Sequence, residues 1–211
     1  MKTVFINPER CVGCKQCEAA CAVEHSQSKN LFLSVLESPK PKPRIHSDPG
    51  LTMDTSFPNK CRHCTPAPCH SACPTGAIHR SGDFPDIVLV DGKKCIACLM
   101  CAMVCPFDVI TAFPSAAAPQ RKAVATKCDD CIDRQVQGRI PACVEACKSE
   151  ALMFGEFNEL VKTARTEYSG AVSSHMADTR DEILGLPPSL ESMRKLGTVV
   201  SVINRSSRKG E

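Results

Sequence analysis

The stretch CIACLMCAMVCP, residues 95–106, decides the reading: Cys95, Cys98, Cys101 and Cys105 are spaced C-x2-C-x2-C-x3-C and run into Pro106. Two-residue gaps let a tight loop aim three thiolates at one small metal centre, with backbone N–H groups free to bond its sulfur atoms. The fourth cysteine lies four residues further on. It is expected at the start of a short helix, pointing away from the loop toward a neighbouring centre. Outward from this stretch the pattern repeats. In sequence order, motif one is Cys11, Cys14, Cys17 and Cys21, with the same spacing. Motif two is Cys61, Cys64, Cys69 and Cys73, with a middle gap of four residues and Pro74 following. The quoted stretch is motif three, and motif four is Cys128, Cys131, Cys143 and Cys147, with a middle gap of eleven. All sixteen cysteines are used, and such internal repetition is the dominant signal of the sequence.

Four complete tetrads with this spacing imply four [4Fe–4S] clusters, with all sixteen cysteines as ligands. Zinc sites use paired C-x-x-C units around one tetrahedral ion and do not need the C-x2-C-x2-C-x3-C-P run. Motif four alone looks more zinc-like, so a zinc-binding interaction module is the alternative from another class. A disulfide framework fits poorly, because MKTVFINPER has no apolar signal segment, twin arginine or cleavage site. A cytoplasmic location is expected, and no apolar run is long enough to span a bilayer.

Short β-runs precede motif one (Val4–Ile6) and motif three (Ile87–Val90). Each ends in a turn signal, Asn7-Pro8 or Asp91-Gly92, followed by a basic residue and cysteine. Apolar runs follow the motifs at Ala77-Ile78, Val109–Phe113 and Ala151–Phe154, and helical pieces are expected at Leu99–Val104 and Pro141–Ala146. The fold class is α+β, with ferredoxin-like lobes of two clusters each. Sequence gaps do not decide which motifs pair, since 21 and 22 residues separate motifs two, three and four. The Cys-Pro pairs at Cys73-Pro74 and Cys105-Pro106 group motifs two and three. One cluster then takes Cys61, Cys64, Cys69 and Cys105, and the next Cys95, Cys98, Cys101 and Cys73. The other lobe takes Cys11, Cys14, Cys17 with Cys147, and Cys128, Cys131, Cys143 with Cys21. The expected domains are an outer lobe (1–30 and 120–158), an inner lobe (31–119) nested in it, and a C-terminal helix and tail (159–211).

Composition agrees with a metal-supported fold. The chain has 211 residues, no Trp and one Tyr, and its apolar fraction of 43% counts the cysteines. Without them roughly a third is apolar, thin for this length, so something besides side-chain packing must hold the fold. The formal charge of +3 treats every thiol as neutral. Four oxidised clusters at about −2 each would bring the total to roughly −5, so no nucleic-acid partner follows from its basicity. No G-x-G-x-x-G or Walker A loop is present and no cysteine is left as a nucleophile, so no catalytic residue is expected.

The phrases Lys60–Ile78 (KCRHCTPAPCHSACPTGAI) and Lys127–Arg134 (KCDDCIDR) resemble the four-cluster electron-transfer subunits that serve dimethyl sulfoxide reductase, formate dehydrogenases, hydrogenases and CO dehydrogenase. The resemblance covers roughly residues 1–155 and implies the nested arrangement, with clusters strung in a row. Within that family, Ala22–Lys29 (AVEHSQSK) and Pro41–His46 (PKPRIH) are similar to the CooF-type partners of nickel CO dehydrogenase. That similarity implies a relay from a CO dehydrogenase to a hydrogenase, ferredoxin or flavoprotein reductase. The alternative is the iron–sulfur subunit of a formate dehydrogenase, hydrogenase or molybdopterin oxidoreductase. His25 and His46 are read as capping a helix end and a strand in preference to marking a partner surface. His63 and His70 have two readings of equal weight, bonding or tuning a cluster and a packing or solvent-facing role. Ser38–Arg44 is expected to be extended because of its prolines. Glu156–Arg165 is expected to form a helix sealing one lobe, and Arg205–Lys209 a solvated tail.

Overall fold

Each cysteine loop is flanked by β-strands, and the strands pair two by two. The computed structural model describes residues 2–50, 55–114 and 123–183, with side chains up to residue 173. The strands are β1 (Lys2–Ile6), β2 (Ile45–Pro49), β3 (Ser56–Lys60), β4 (Ile78–Arg80), β5 (Val88–Val90), β6 (Thr111–Phe113), β7 (Val124–Thr126) and β8 (Leu152–Glu156). The helices are α1 (Gln16–Glu24), α2 (Leu31–Ser34), α3 (Pro68–Ser71), α4 (Met100–Met103), α5 (Ile132–Val136), α6 (Ala142–Glu145) and α7 (Phe157–Ile183). The described strands form four antiparallel ribbons: β1 with β8, β2 with β3, β4 with β5, and β6 with β7. Val4 faces Phe154, Ile45 faces Lys60, Ile78 faces Val90 and Ala112 faces Ala125.

An isolated two-stranded ribbon is marginal in water, so each must bury a face against something. Here the cysteines take that part. Ile78, Val88, Ile110 and Val124 pack with Cys95 and Cys101 in one core. Val4, Ile45 and Leu152 pack with Cys17, Cys21 and Cys143 in a second. A small third core joins Cys61 and Cys128 through Val109. Helix α1 packs on α6, and α3 on α4.

The helical pieces expected at Leu99–Val104 and Pro141–Ala146 form as α4 and α6, but the last cysteine of a motif does not open a helix. The third cysteine of each motif lies inside a short helix: Cys17 in α1, Cys69 in α3, Cys101 in α4 and Cys143 in α6. Cys21 falls within α1, whereas Cys73, Cys105 and Cys147 fall just beyond their helix ends. The reason is local. Lys15 and Leu99 cap α1 and α4 in the left-handed conformation, both at φ 58°, which turns the chain sharply between the second and third cysteines. Pro68 opens α3, where its missing N–H costs nothing. An x3 gap is then one helical turn, which carries the last cysteine past the loop.

Helix α7 also runs well beyond Arg165. Residues 1–160 form one unit and 161–211 another. Ser38–Arg44 has no regular secondary structure, and Arg205–Lys209 lies outside the described residues. The ribbon β2–β3, strand β7 and helices α2 and α5 arise where the sequence carries no clear periodic signal. No helix among the described residues is long and apolar enough to cross a membrane.

Ile78 is only 1% exposed in the core around Cys95 and Cys101. Ile78→Ala should cost about 2–5 kcal/mol in anaerobic denaturant unfolding. Val136→Ala, at an exposed position of α5, should change stability by less than about 0.5 kcal/mol. Equal midpoint shifts in the two variants would contradict this description of the core.

Candidate metal centres

The second residue inside the first C-x-x-C of each motif has the same backbone conformation. Gly13, His63, Ala97 and Asp130 all have positive φ, at 66°, 49°, 59° and 57°. Only glycine adopts this region without strain, so in three of the four loops it is held against the residue's own preference. The turn aims N–H groups back at sulfur. His63 N–H donates to Cys61 Sγ at 3.4 Å, Ala97 N–H to Cys95 Sγ at 3.5 Å, and Asp130 N–H to Cys128 Sγ at 3.4 Å. Outside the loops, Arg44 N–H reaches Cys21 Sγ at 3.2 Å and Ala125 N–H reaches Cys95 Sγ at 3.4 Å. Inward N–H groups around sulfur suit anionic thiolates rather than thiols.

The cysteines gather across motifs. Cys11, Cys14 and Cys17 line one cavity together with Cys147, which α6 delivers by packing on α1. Cys17 also interacts electrostatically with Cys147 and Cys11. Cys143 interacts in the same way with Cys128, Cys21 and Cys131. Cys69 interacts with Cys61 and Cys105. Cys101 interacts with Cys95, and Cys73 packs on the core that holds both. Cys14 and Cys98 are exposed, and Cys64 is half-buried.

All sixteen thiols are free of disulfides. Burial pushes the Cys17 thiol up to about 11 and Cys131 up to about 12. It raises Cys21, Cys128 and Cys143 as well. Without metal these groups stay protonated at neutral pH, and a bound metal centre must displace their protons. The donor set therefore fits thiolate-ligated clusters.

Sequence reasoning missed a set of buried charges around these sites. Lys60 and Asp130, 2% and 4% exposed, form an ion pair at 2.8 Å. Burial alone would push Lys60 down; the Asp130 carboxylate opposes this, joined by Cys128 once that thiol is ionised, and Lys60 is raised. Lys127, also buried, donates to the Val88 carbonyl and, at 2.9 Å, to that of Cys128. Arg134 is clamped by Glu24 at 2.8 Å and by Glu145. Asp129 accepts from Arg44 at 2.5 Å and lies 3.4 Å from His25 Nε2. Arg62 sits over the rings of Phe57 and Phe107, 5.6 and 5.4 Å from their centroids. The sequence does not single the lysines out, since motifs two, three and four all open on Lys-Cys. The basic residues before motifs one and three, Arg10 and Lys94, instead lie at the surface with side chains 37% and 63% exposed.

The histidines divide. His25 caps the end of α1 and His46 lies in β2 opposite Asn59, as their structural reading expected. His70 is exposed on α3, whereas His63 is buried at 8% exposure, its Nδ1 accepting from Val88 N–H at 3.0 Å. Burial, with Lys127 and Lys60 nearby, lowers His63 to about 2, so it is neutral.

Comparison with known families finds a match to the 4Fe-4S dicluster domain over residues 53–157 and to the 4Fe-4S binding domain over residues 4–21. The protein is 38% identical to an iron-sulfur protein of Rhodospirillum rubrum, over 71% of its own length and 79% of that relative's. It is 37% identical to the thiosulfate reductase electron transfer subunit PhsB of Salmonella typhi, covering 72% and 73% of the two proteins. It is 36% identical to the B subunit of the anaerobic dimethyl sulfoxide reductase of Escherichia coli K12, covering 75% of each.

Removing one member of a buried ion pair leaves an uncompensated charge. Lys60→Met and Asp130→Asn should therefore each cost about 3–5 kcal/mol. The double variant Lys60→Met/Asp130→Asn should lose clearly less than the sum of the two single effects. Additive losses in anaerobic unfolding would contradict a direct interaction between the two.

Proposed function

This protein is a member of the family of [4Fe–4S] electron-transfer subunits of oxidoreductase complexes, and from that premise we propose that it serves a molybdopterin oxidoreductase of the dimethyl sulfoxide or thiosulfate reductase type. Its cofactors are four [4Fe–4S] clusters, and it is an electron-transfer rather than a catalytic subunit. The family match excludes the zinc-module reading. When bound, each cluster supplies a centre that takes up and gives back one electron.

We assign the clusters to Cys11, Cys14, Cys17 with Cys147; Cys128, Cys131, Cys143 with Cys21; Cys61, Cys64, Cys69 with Cys105; and Cys95, Cys98, Cys101 with Cys73. The observation that carries this assignment is the cavity lined jointly by Cys11, Cys14, Cys17 and Cys147. A motif that lends its last cysteine to another motif's site ties two sites together at short range. The packing of α1 on α6 and α3 on α4, with β1 paired to β8, supports nested lobes made from motifs one and four and from motifs two and three. Loop N–H groups stabilise thiolate charge, and the cores around the cysteines exclude water, which tunes and insulates the sites. The two exposed cysteines, Cys14 and Cys98, belong to two different sites of this assignment. Val12 beside one and Ile96 and Met103 beside the other offer exposed apolar surface for redox partners.

The second reading is a nickel CO dehydrogenase partner. The names of the relatives do not support it, and it rests on the CooF-like segments alone. Those segments converge in space, because His25 and Arg44 meet the same Asp129 carboxylate.

Anaerobic purification should yield a brown protein with about sixteen iron and sixteen sulfide per molecule. A molybdopterin enzyme should co-purify with it. A nickel enzyme in its place would favour the second reading, and a colourless protein would overturn both. Cys147→Ser and Cys11→Ser should perturb the same reduced-cluster electron paramagnetic resonance signal. Effects on two different signals would overturn the ligand assignment.

A further inference from the structure

His63 belongs by sequence to motif two, but its side chain leaves that motif. Its backbone N–H serves Cys61 Sγ at 3.4 Å. Its ring lies in a buried group with Cys128 and Asp130 of motif four, where a ring nitrogen, Cys128 Sγ and a carboxylate oxygen are all within 4.8 Å of one another. Asp130 occupies the same position in motif four that His63 occupies in motif two, and it makes the reciprocal crossing. Its N–H serves Cys128 Sγ, and its carboxylate reaches Lys60, the residue before Cys61. Each loop thus sends one side chain to the site built on the other.

The proton on His63 can be placed from geometry. Val88 N–H donates to Nδ1 at 3.0 Å, so Nδ1 presents a lone pair and the neutral ring carries its proton on Nε2. That N–H is buried and has no partner: Nε2 is the only buried side-chain nitrogen or oxygen among the described residues without a hydrogen bond. A buried donor without an acceptor is costly and rare. Its charged neighbours do not supply an acceptor. Lys60 and Lys127 are donors, and the near carboxylate of Asp130 accepts from Lys60 and Gln135 but not from Nε2. The acceptor that chemistry places there is sulfur at Cys128, and the thiols of this region become thiolates only on binding a cluster.

We propose that His63 Nε2–H is the hydrogen-bond donor to the cluster held at Cys128, on its thiolate or an adjoining sulfide. A residue of the motif-two loop thereby tunes the motif-four site. A hydrogen bond to cluster sulfur favours the more negative, reduced state, so His63 raises that cluster's potential relative to a site without the donor. It does so where Cys61 and Cys128 share one small core, the place at which the two pairs of sites adjoin. This inference rests on the proposed ligand sets.

The test is a redox titration, followed by electron paramagnetic resonance, of the full-length protein carrying His63→Leu or His63→Gln. Iron and sulfide should stay near the wild-type content in both. In His63→Leu one of the four midpoint potentials should move negative, and in His63→Gln, which keeps a donor, part of that shift should be restored. The transition that moves should be the one that Cys128→Ser shifts or abolishes, not the one that Cys61→Ser affects. In wild-type protein labelled with 15N-histidine, pulsed measurements should show a nitrogen coupling on that same reduced cluster, a readout that does not depend on any variant folding. A shift confined to the Cys61 cluster, or no shift together with no nitrogen coupling, would overturn the proposal while leaving four clusters in place. Wild-type protein without four clusters would instead overturn the underlying reading.

Discussion

A thiolate taken out of water is unstable unless something positive meets it, and this protein buries eight of its sixteen cysteines. Burial raises several of those thiols far enough to keep their protons at neutral pH when nothing is bound. The interior that forms around them is therefore complete only with metal present, which makes cluster binding and folding one equilibrium. The ribbons have the same dependence. None has more than five residue pairs, and the residues their buried faces meet are cysteines as much as leucines and valines. Sixteen sulfur atoms take the place of the large apolar side chains this sequence lacks.

Strained backbone is the second consequence. Four loops hold the same inner position at positive φ, and only motif one gives it to glycine. His63, Ala97 and Asp130 accept a conformation that L-residues avoid, because an N–H turned inward toward sulfur stabilises negative charge there. A side chain at that position also projects into the protein, where glycine would leave it empty. Motifs two and four use it to send His63 and Asp130 toward each other's sites, whereas Ala97 sends nothing. The four loops are alike in backbone and differ in what they reach.

The tetrads were legible because a cluster's ligand geometry is local: in motifs one and three, three thiolates within seven residues must converge on one object, little else imposes that spacing, and motifs two and four repeat it with a longer middle gap. The strands before motifs one and three and after motifs two, three and four were legible for a similar reason, as apolar runs bounded by turn residues. The ribbon β2–β3 was not. Ile45-His-Ser-Asp-Pro49 and Ser56-Phe-Pro-Asn-Lys60 are mostly polar; the strands are stabilised by each other, and the first also by α1, rather than by their own pattern. The last cysteine was placed at a helix start because the spacing does not reveal where the helix begins. Left-handed Lys15 and Leu99 decide that, and neither residue type advertises such a conformation. Buried Lys60, Lys127 and Arg134 were invisible for a plainer reason, since lysine and arginine are read as surface residues unless a partner is known.

Those lysines bear on how the sites coexist. Lys60 has Asp130 as a counter-ion, but Lys127 donates to the two carbonyls of Val88 and Cys128. Burial raises the nearby Cys69 thiol, and the charge of Lys127 works against that rise. Carbonyl dipoles alone are poor company for a buried ammonium. Once thiolates form on either side, the same charge becomes complementary to its surroundings. Clusters with four thiolates each add negative charge to a small interior, and two such sites close together would raise each other's cost of reduction. Placing Lys60 and Lys127 immediately before the first cysteines of motifs two and four puts positive charge between the two sites that share the core of Cys61 and Cys128. The buried lysines are thus costly features of the empty protein and stabilising ones of the loaded protein, which is the same inversion the buried thiols undergo.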